Sequence, residues 1–357
     1  MMSSLSTLLQ EKAWYTEQGP DEDIVLSSRA RLSRNLSGYF FPYKLSEKDQ
    51  KEVQKQIEKA FGKIKQDKGL KAVKLEKLSV IDRRKLIEKH FVSQDYSLEK
   101  DKLVVFDSDN FVTAVVNVRD HLQIAAFAGG SDINKAYERA NSIEHDLDQY
   151  LDFSVSLDKG YLCADIKNCG TGLQASILLH LPALEYSSLI DRAFKKVMDT
   201  GCDIKGFTGE DEGSLGAIYE LYNPVAIGES EKDLLQKLAH IASQLVDYER
   251  RVREEMKRHR RLELEDIVYR AWGVLKYCRM IEEKEAMQLL SMVRLGASMG
   301  WFDVSPGLIT RLLVLTGKAH IQQLITEGEA EDMTQQIKQK RAHLIQFALG
   351  FATDREV

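Results

Sequence analysis

The chain has 357 residues, 43% hydrophobic and 29% charged, enough to bury a full core and, by length, to make two domains. Its formal net charge of −5 excludes a global basic field for nucleic acid, and its four cysteines (Cys163, Cys169, Cys202, Cys278) lack the spacing of a zinc site or a disulfide framework. No apolar run approaches the roughly 18 residues of a membrane span, and "MMSSLSTLLQEKAW" lacks a signal peptide's basic start and long apolar stretch, so reduced thiols and a cytoplasmic location are expected.

Residues 1–22 read as a short amphipathic N-terminal extension. "DIVLSSRARLSRN" carries an apolar strand into an arginine-rich segment, and Val53, Ile57, Ala60, Phe61 and Ile64 set a helical stripe over 46–66. "DKLVVFDSDNFVTAVVNVRDHLQIAAFAGG" holds three apolar runs separated by polar turns, the pattern of an antiparallel meander, with 115–124 alternating like one half-buried strand. Ser131 is placed to cap a helix carrying Ile133, Ala136, Tyr137, Ala140, Ile143 and Leu147. "GYLCADI" reads as a strand, "NCGTGLQASILLHLPAL" as a glycine turn entering a buried helix, and "IKGFTGEDEGSLGAIYELYNP" as two strands around an acidic loop.

Beyond Pro224 the pattern is helical, opening at a capping signal with Ser230 and Asp233. Leu234, Leu238, Ile241, Leu245, Tyr248 and Val252 form a narrow seam suited to another helix, of this chain or of a second copy. These patterns predict an α+β domain around an antiparallel sheet over residues 23–254 and a smaller all-helical domain over 255–357.

Several clusters admit both a chemical and a plain reading. Gly170 and Gly172 before a helix suit backbone contacts to phosphate, or a turn of no chemical consequence. Arg29, Arg31 and Arg34 form a cationic row or a solvated face, Arg29 and Arg31 sharing a side if extended. Glu210, Asp211 and Glu212, between Gly209 and Gly213, hold a cationic substrate or face water. The basic stretch 249–261 interleaves Glu249, Glu254 and Glu255 and has no aromatic residue for base stacking, which favours a salt-bridged helix over nucleic-acid binding.

Together, "DIVLSSRARLSRN", "LIEKHFVS", "NVRDHLQI", "NCGTGLQASILLHLPAL" and "KGFTGEDEGSLGAIYELYN" stand in the order and spacing of the phosphagen kinase catalytic domain. The chain more closely resembles bacterial protein arginine kinases of the McsB type, and "LELEDIVYRAWGVLKYCRMIEEKEAMQLLSMVRLG" extends the resemblance through the C-terminal helices. The resemblance implies transfer of the ATP γ-phosphoryl group to an arginine side chain of a protein. With it come Mg-ATP as cofactor, a protein client, a zinc-containing activator and Clp protease components as partners, a homodimer, and a role in stress-related protein quality control; no resident metal site is implied. The nucleotide positions it implies are Ser27, Ser28, Arg29, Ala30, Arg31, His90, Gln123, Gln174, Ala175, Ser176, Lys205, Gly206 and Gly209. The catalytic positions it implies are Glu210, Arg119 and Asp165.

Phosphoryl transfer to a guanidinium makes two electrostatic demands: preorganised cations for the triphosphate, and carboxylates that grip the guanidinium and help remove its proton. Arg29, Arg31 and His90 match the family pattern, but Gln123 stands for the arginine of "DHxR", Gln174 for that of "GTGLRAS", and Lys205 for that of "RGxxGE". Each lost charged hydrogen bond is worth about 1.5–3 kcal/mol. Glu210 matches one substrate carboxylate, whereas Val118 and Arg119 replace both glutamates of "NEEDH". At about 4 Å and an effective dielectric near 20, turning that attraction into repulsion shifts the balance by up to roughly 8 kcal/mol, about five to six powers of ten in rate.

Two compensations bear on this. Asp165 replaces the reactive-site cysteine of "CPxN" and keeps a negative charge, whereas an extended strand would separate Arg119 from Gln123 by about 13 Å and bar a simple exchange. In the C-terminal domain "EDMTQQ", 331–336, stands for the phosphoarginine-reading "RDxxRA", with Glu331 replacing its first arginine. The sequence therefore predicts a protein arginine kinase homologue with absent or severely weakened phosphotransfer, acting through binding as a dimeric regulator. The alternatives are an active protein arginine kinase with a site remodelled around Glu210 and Asp165, and transfer to a small guanidino compound.

Overall fold

The structure, a computed structural model, describes residues 4–93, 102–207, 214–325 and 332–351. Ten strands are formed there: β1 (Val25–Arg34), β2 (Leu70–Lys74), β3 (Leu103–Asp107), β4 (Val112–Val116), β5 (Leu122–Gly129), β6 (Val155–Ser156), β7 (Gly160–Tyr161), β8 (Leu173–His180), β9 (Asp203–Gly206) and β10 (Ile218–Tyr222). Eight make one antiparallel sheet in the order β2-β3-β4-β5-β1-β8-β10-β9, and β6 and β7 pair as a small ribbon.

Strand alternation divides the labour between the two faces of β1. Ala30 and Leu32 are fully buried in a core that includes Ile57 and Phe61 of the Glu47–Lys68 helix, and Ala136, Ala140 and Leu147 of the Ile133–Asp148 helix. Burying each large side chain of that stripe contributes about 1.5–3 kcal/mol. The opposite face carries Arg29 and Arg31. Farther along the same sheet, Leu26, Phe127, Leu178 and Ile218 pack with Leu290, Val293 and Leu312 of the C-terminal helices.

The helix Glu231–His259 buries Leu234, Leu238, Ile241, Leu245 and Val252 in this chain's own core, so its seam needs no second copy. It runs across residue 255 and ends at Arg260. Inside its basic stretch Glu249 and Arg253 are both buried and paired at 2.7 Å, and Glu249 also accepts the backbone N–H groups of Ala183 and Leu184. This segment is thus partly a core joint and not only a solvated face. The region beyond it is helical, with Arg261–Tyr277, Glu283–Ser298, Pro306–Leu315, Lys318–Gln322 and Met333–Ala348. Among the described residues no helix is long and apolar enough to cross a membrane. The architecture is the expected one: an antiparallel sheet flanked by helices, followed by a helical C-terminal region.

Four local expectations are corrected. "LQASILLH" is the strand β8 and not a helix; it lies between β1 and β10, which explains an apolar run buried on both faces. Only Gly160–Tyr161 of "GYLCADI" is strand, because the chain leaves the ribbon to bring Cys163 and Ala164 against Ser33 and Asp120. Asp132, not Ser131, caps the next helix, its carboxylate accepting from Lys135 N–H. Residues 115–124 are two strands joined by a reversal, since Asn117 adopts φ of 57° and its N–H bonds to the His121 carbonyl.

Candidate functional site

Cross-strand register gathers one face of the sheet into a polar patch. Arg29 lies opposite Ser176, Arg31 opposite Gln174 and Ser33 opposite Gln123; on the far side Ser176 lies opposite Tyr222, and Lys205 opposite Glu220. Arg29, Arg31, Gln174, Ser176, Lys205 and Glu220 line a cleft of about 130 Å³. Glu220 bonds to Arg29 at 2.6 Å and lies 3.5 Å from Lys205. Burial alone raises the Glu220 carboxyl, but Arg29, Lys205, the Ser176 hydroxyl and Arg31 overcome it and hold it at about 2. Glu220 is therefore a carboxylate at any ordinary pH.

The two glutamines bond within the patch and add no charge. Gln174 accepts from Arg31 at 3.4 Å and donates to Asn168 at 3.0 Å, while Gln123 donates to the Ser33 hydroxyl at 3.4 Å. Arg31 is lowered to about 10 by burial, then by Arg29, with Arg119 acting in the same direction and Glu220 against it. It stays protonated at neutral pH. Lys205, on the edge strand, also sits 4.9 Å from the Tyr222 ring.

The reversal between β4 and β5 explains how Arg119 is felt at Arg31. Arg119 is exposed near the tip of this turn, whose neighbouring residues anchor three loops. Asp120, buried, accepts from the Asn35 amide and from Ala164 N–H, both at 2.7 Å. His121, also buried, accepts from Leu36 N–H at Nδ1 and therefore donates from Nε2 to the Phe40 carbonyl. Burial lowers its pKa in spite of Phe40 and Asp120, which favours this neutral form. Asn117 donates to the Gln50 carbonyl. The expected 13 Å barrier between Arg119 and Gln123 assumed an extended strand, and the reversal removes that assumption.

Beside the cleft lies an aromatic slot lined by Trp14, His90, Phe127 and Phe207, with Arg29 and Glu220 at the boundary they share. His90 adopts φ of 60° and packs its ring 4.5 Å from that of Phe207. Burial, then Arg29, pushes its pKa down to about 4, so the imidazole is neutral. The slot offers about 20 Å³, room for about one water, and is too narrow for a nucleobase in this conformation.

The remaining expected positions fall elsewhere. Ser27 joins the aromatic slot and Ala175, paired with Ala30, is among the residues lining the cleft, whereas Ser28 and Ala30 alternate to the other face; Ser28 bonds to the Gly130 carbonyl. Gly206 pairs with Tyr219 at the edge. Asp165 caps the Ile166–Asn168 turn through Lys167 N–H and does not line the cleft. Gly209, Glu210, Asp211, Glu212 and Glu331 lie outside the described residues. The glycine loop precedes a strand, so no helix N-terminus faces a phosphate there; Gly172, with φ of 65°, instead brings the Arg34 guanidinium against the Thr171 carbonyl.

Arg34 itself is buried, pairs with Glu144 at 2.7 Å and stacks on Tyr161, which makes it part of the scaffold. Sequence reading missed Glu220, whose only signal was an acidic residue in an otherwise apolar strand. Of the described residues lining the cleft, Glu220 is the one carboxylate, and it already faces two cations. The arrangement favours anions, and among the described residues lining the cleft no free carboxylate is offered to a guanidinium. No group of three or more His, Cys, Asp or Glu among the described residues is placed to hold a metal.

Comparison with known proteins agrees with this architecture. Residues 52–252 match the family profile of the ATP:guanido phosphotransferase C-terminal catalytic domain, and 261–356 that of the protein-arginine kinase McsB C-terminal domain. A protein-arginine kinase of Halothermothrix orenii is 34% identical over 343 residues, 94% of this chain and 96% of the relative. That of Bacillus subtilis is 33% identical over 325 residues, 90% of each. In fold the chain is similar to a lombricine kinase, with TM-score 0.57 and 23% identity over 66% of this chain and 68% of that one. It is likewise similar to the duplicated taurocyamine kinase of Schistosoma mansoni, with TM-score 0.59 and 23% identity over 72% of this chain and 37% of that one.

Proposed function

This chain belongs to the ATP:guanido phosphotransferase family, in its McsB-type protein-arginine kinase branch, and from that premise we propose that its phosphoryl transfer is absent or severely weakened and that it acts through binding. The observation that carries this reading is the charge of the patch. A cation, Arg119, stands near the turn where an acceptor guanidinium would need a carboxylate, and its field reaches Arg31. Repulsion between two guanidinium groups raises the barrier of a reaction whose catalysis is positioning and electrostatics.

Arg29, Arg31 and Lys205 fit the anionic part of Mg-ATP, which supplies the phosphoryl group in this family's chemistry. The fit is partial: Gln123 and Gln174 add no charge, Glu220 offsets one cation, and the base slot is narrow. The chain's own residues thus hold an anion weakly and give a cationic acceptor little purchase. A regulatory place in cytoplasmic protein quality control, as a homodimer with a protein client, a zinc-containing activator and Clp protease components, belongs to the same proposal. An active enzyme would have to rely on Glu210, since Asp165 is engaged as a turn cap.

The test is incubation of purified protein with γ-labelled Mg-ATP and an arginine-rich protein, with and without the activator, scoring acid-labile phosphate. The expected result is labelling at or near background. Robust labelling that Glu210→Gln abolishes would overturn the proposal.

A further inference from the structure

Glu220 lies where the cationic cleft meets the aromatic slot and lines both. Its side chain is 15% exposed, and its two oxygens face different cations, Oε1 toward Arg29 and Oε2 toward Lys205. The Ser176 hydroxyl bonds to it as well. The carboxylate thereby meets, from inside the protein, the same donors that a phosphate group entering this cleft would use. Among the described residues Arg29 has no second ion pair, and neither has Lys205.

Charge arithmetic gives this arrangement a consequence. Arg29, Arg31 and Lys205 bring three positive charges to the cleft lining and Glu220 removes one. An incoming anion must either displace the carboxylate from Arg29, leaving a partly buried charge with fewer partners, or bind beside it against like-charge repulsion. Both routes weaken binding, and neither depends on pH near neutrality.

We propose that Glu220 is an internal counter-anion that competes with the phosphates of a polyphosphate ligand for Arg29 and Lys205, and so sets the cleft's affinity for anions. The proposal rests on the weak-site reading above and names a cause for it that a single substitution removes. Glu220→Gln keeps the shape and the hydrogen bonds to Arg29 and Ser176 while deleting the charge. Glu220→Asp keeps the charge on a shorter arm.

The experiment is calorimetric titration of the full chain with inorganic tripolyphosphate and, separately, with Mg-ATP. Glu220→Gln is expected to bind tripolyphosphate ten- to a hundredfold tighter than the unmodified chain, with a steeper salt dependence, and Glu220→Asp to bind it within a fewfold of the unmodified chain. Adding Lys205→Gln to Glu220→Gln is expected to reverse most of the gain. Equal or weaker binding by a folded Glu220→Gln protein would overturn the proposal, because it would make Glu220 a support that holds Arg29 in place.

A crystal of the unmodified protein soaked in tripolyphosphate gives a readout that needs no variant. Arg29 leaving Glu220 for the phosphate supports the competition, and phosphate bound at Arg29 with the 2.6 Å pair intact contradicts it. Failure of the weak-site reading is visible separately, as efficient phosphoryl transfer or tight Mg-ATP binding by the unmodified chain.

Discussion

The turn between β4 and β5 and the patch beneath it are neighbours that answer different physical demands. At the turn, Asn117, Asp120 and His121 keep the residue types of the family pattern, and each holds another segment by hydrogen bonds: Gln50, Asn35 with Ala164, and Leu36 with Phe40. On the patch Gln123 and Gln174, and at the exposed tip of the turn Arg119, depart from the pattern that the sequence resemblance implies, and among the described residues none of them forms an ion pair. Side chains that satisfy buried donors are costly to change, because the orphaned group remains in the core. A side chain whose contribution is charge facing a solvent-accessible cleft can change while the fold stays intact. The fold can therefore be kept while the charge of the cleft is altered.

The largest expected effect lies on the scaffold. Asp120→Ala leaves the Asn35 amide and Ala164 N–H without their acceptor and should lower stability by about 4 kcal/mol, read from denaturant unfolding. A loss below about 1 kcal/mol would erase the distinction between turn and patch. Gly172→Ala comes next. At φ of 65° its Cβ would meet Arg34 Nη1 and the Ser33 carbonyl at 2.6 Å, so a loss of roughly 1–3 kcal/mol is expected.

A pH titration of stability sharpens the same contrast at the aromatic slot. His90 is held down at about 4, below the ordinary histidine value near 6.5, so its neutral form favours the folded state. That contribution is complete above about pH 6.5 and is lost as pH falls toward 4, where the folded state must also take up the proton. His90→Gln should flatten the stability profile over that window, and an unchanged slope would show that the imidazole is already well solvated. The smallest effect belongs to Arg119→Ala, expected within about 0.5 kcal/mol of the unmodified chain because the side chain is exposed.

Much of the scaffold was legible in the sequence because single-face burial leaves a period. The stripe Val53, Ile57, Phe61 and the cap at Ser230 read directly as helices, and the alternation in β4 and β5 read as strands. β8 was misread because an apolar run buried on both faces has no period to separate strand from helix; only its neighbours β1 and β10 decide. The reversal at Asn117 was hidden because alternation continued on both sides of it.

At the site, register brings Arg29, Arg31, Gln174 and Lys205 to one cleft, while Asp165 goes to a turn. Glu220 was not legible at all. A lone glutamate in a strand looks like a solvent-facing residue until cross-strand partners place two cations beside it. Pairing across distant strands is a tertiary property, which no local spacing encodes.

The most direct test of the central claim restores the charges together: Arg119→Glu, Gln123→Arg and Gln174→Arg in one chain, assayed beside the unmodified protein for phosphoarginine formed from Mg-ATP on an arginine-rich protein. The account predicts background labelling by the unmodified chain, little recovery with Arg119→Glu alone, and clear labelling by the triple variant. Labelling by the unmodified chain as strong as that of the folded triple variant would contradict it.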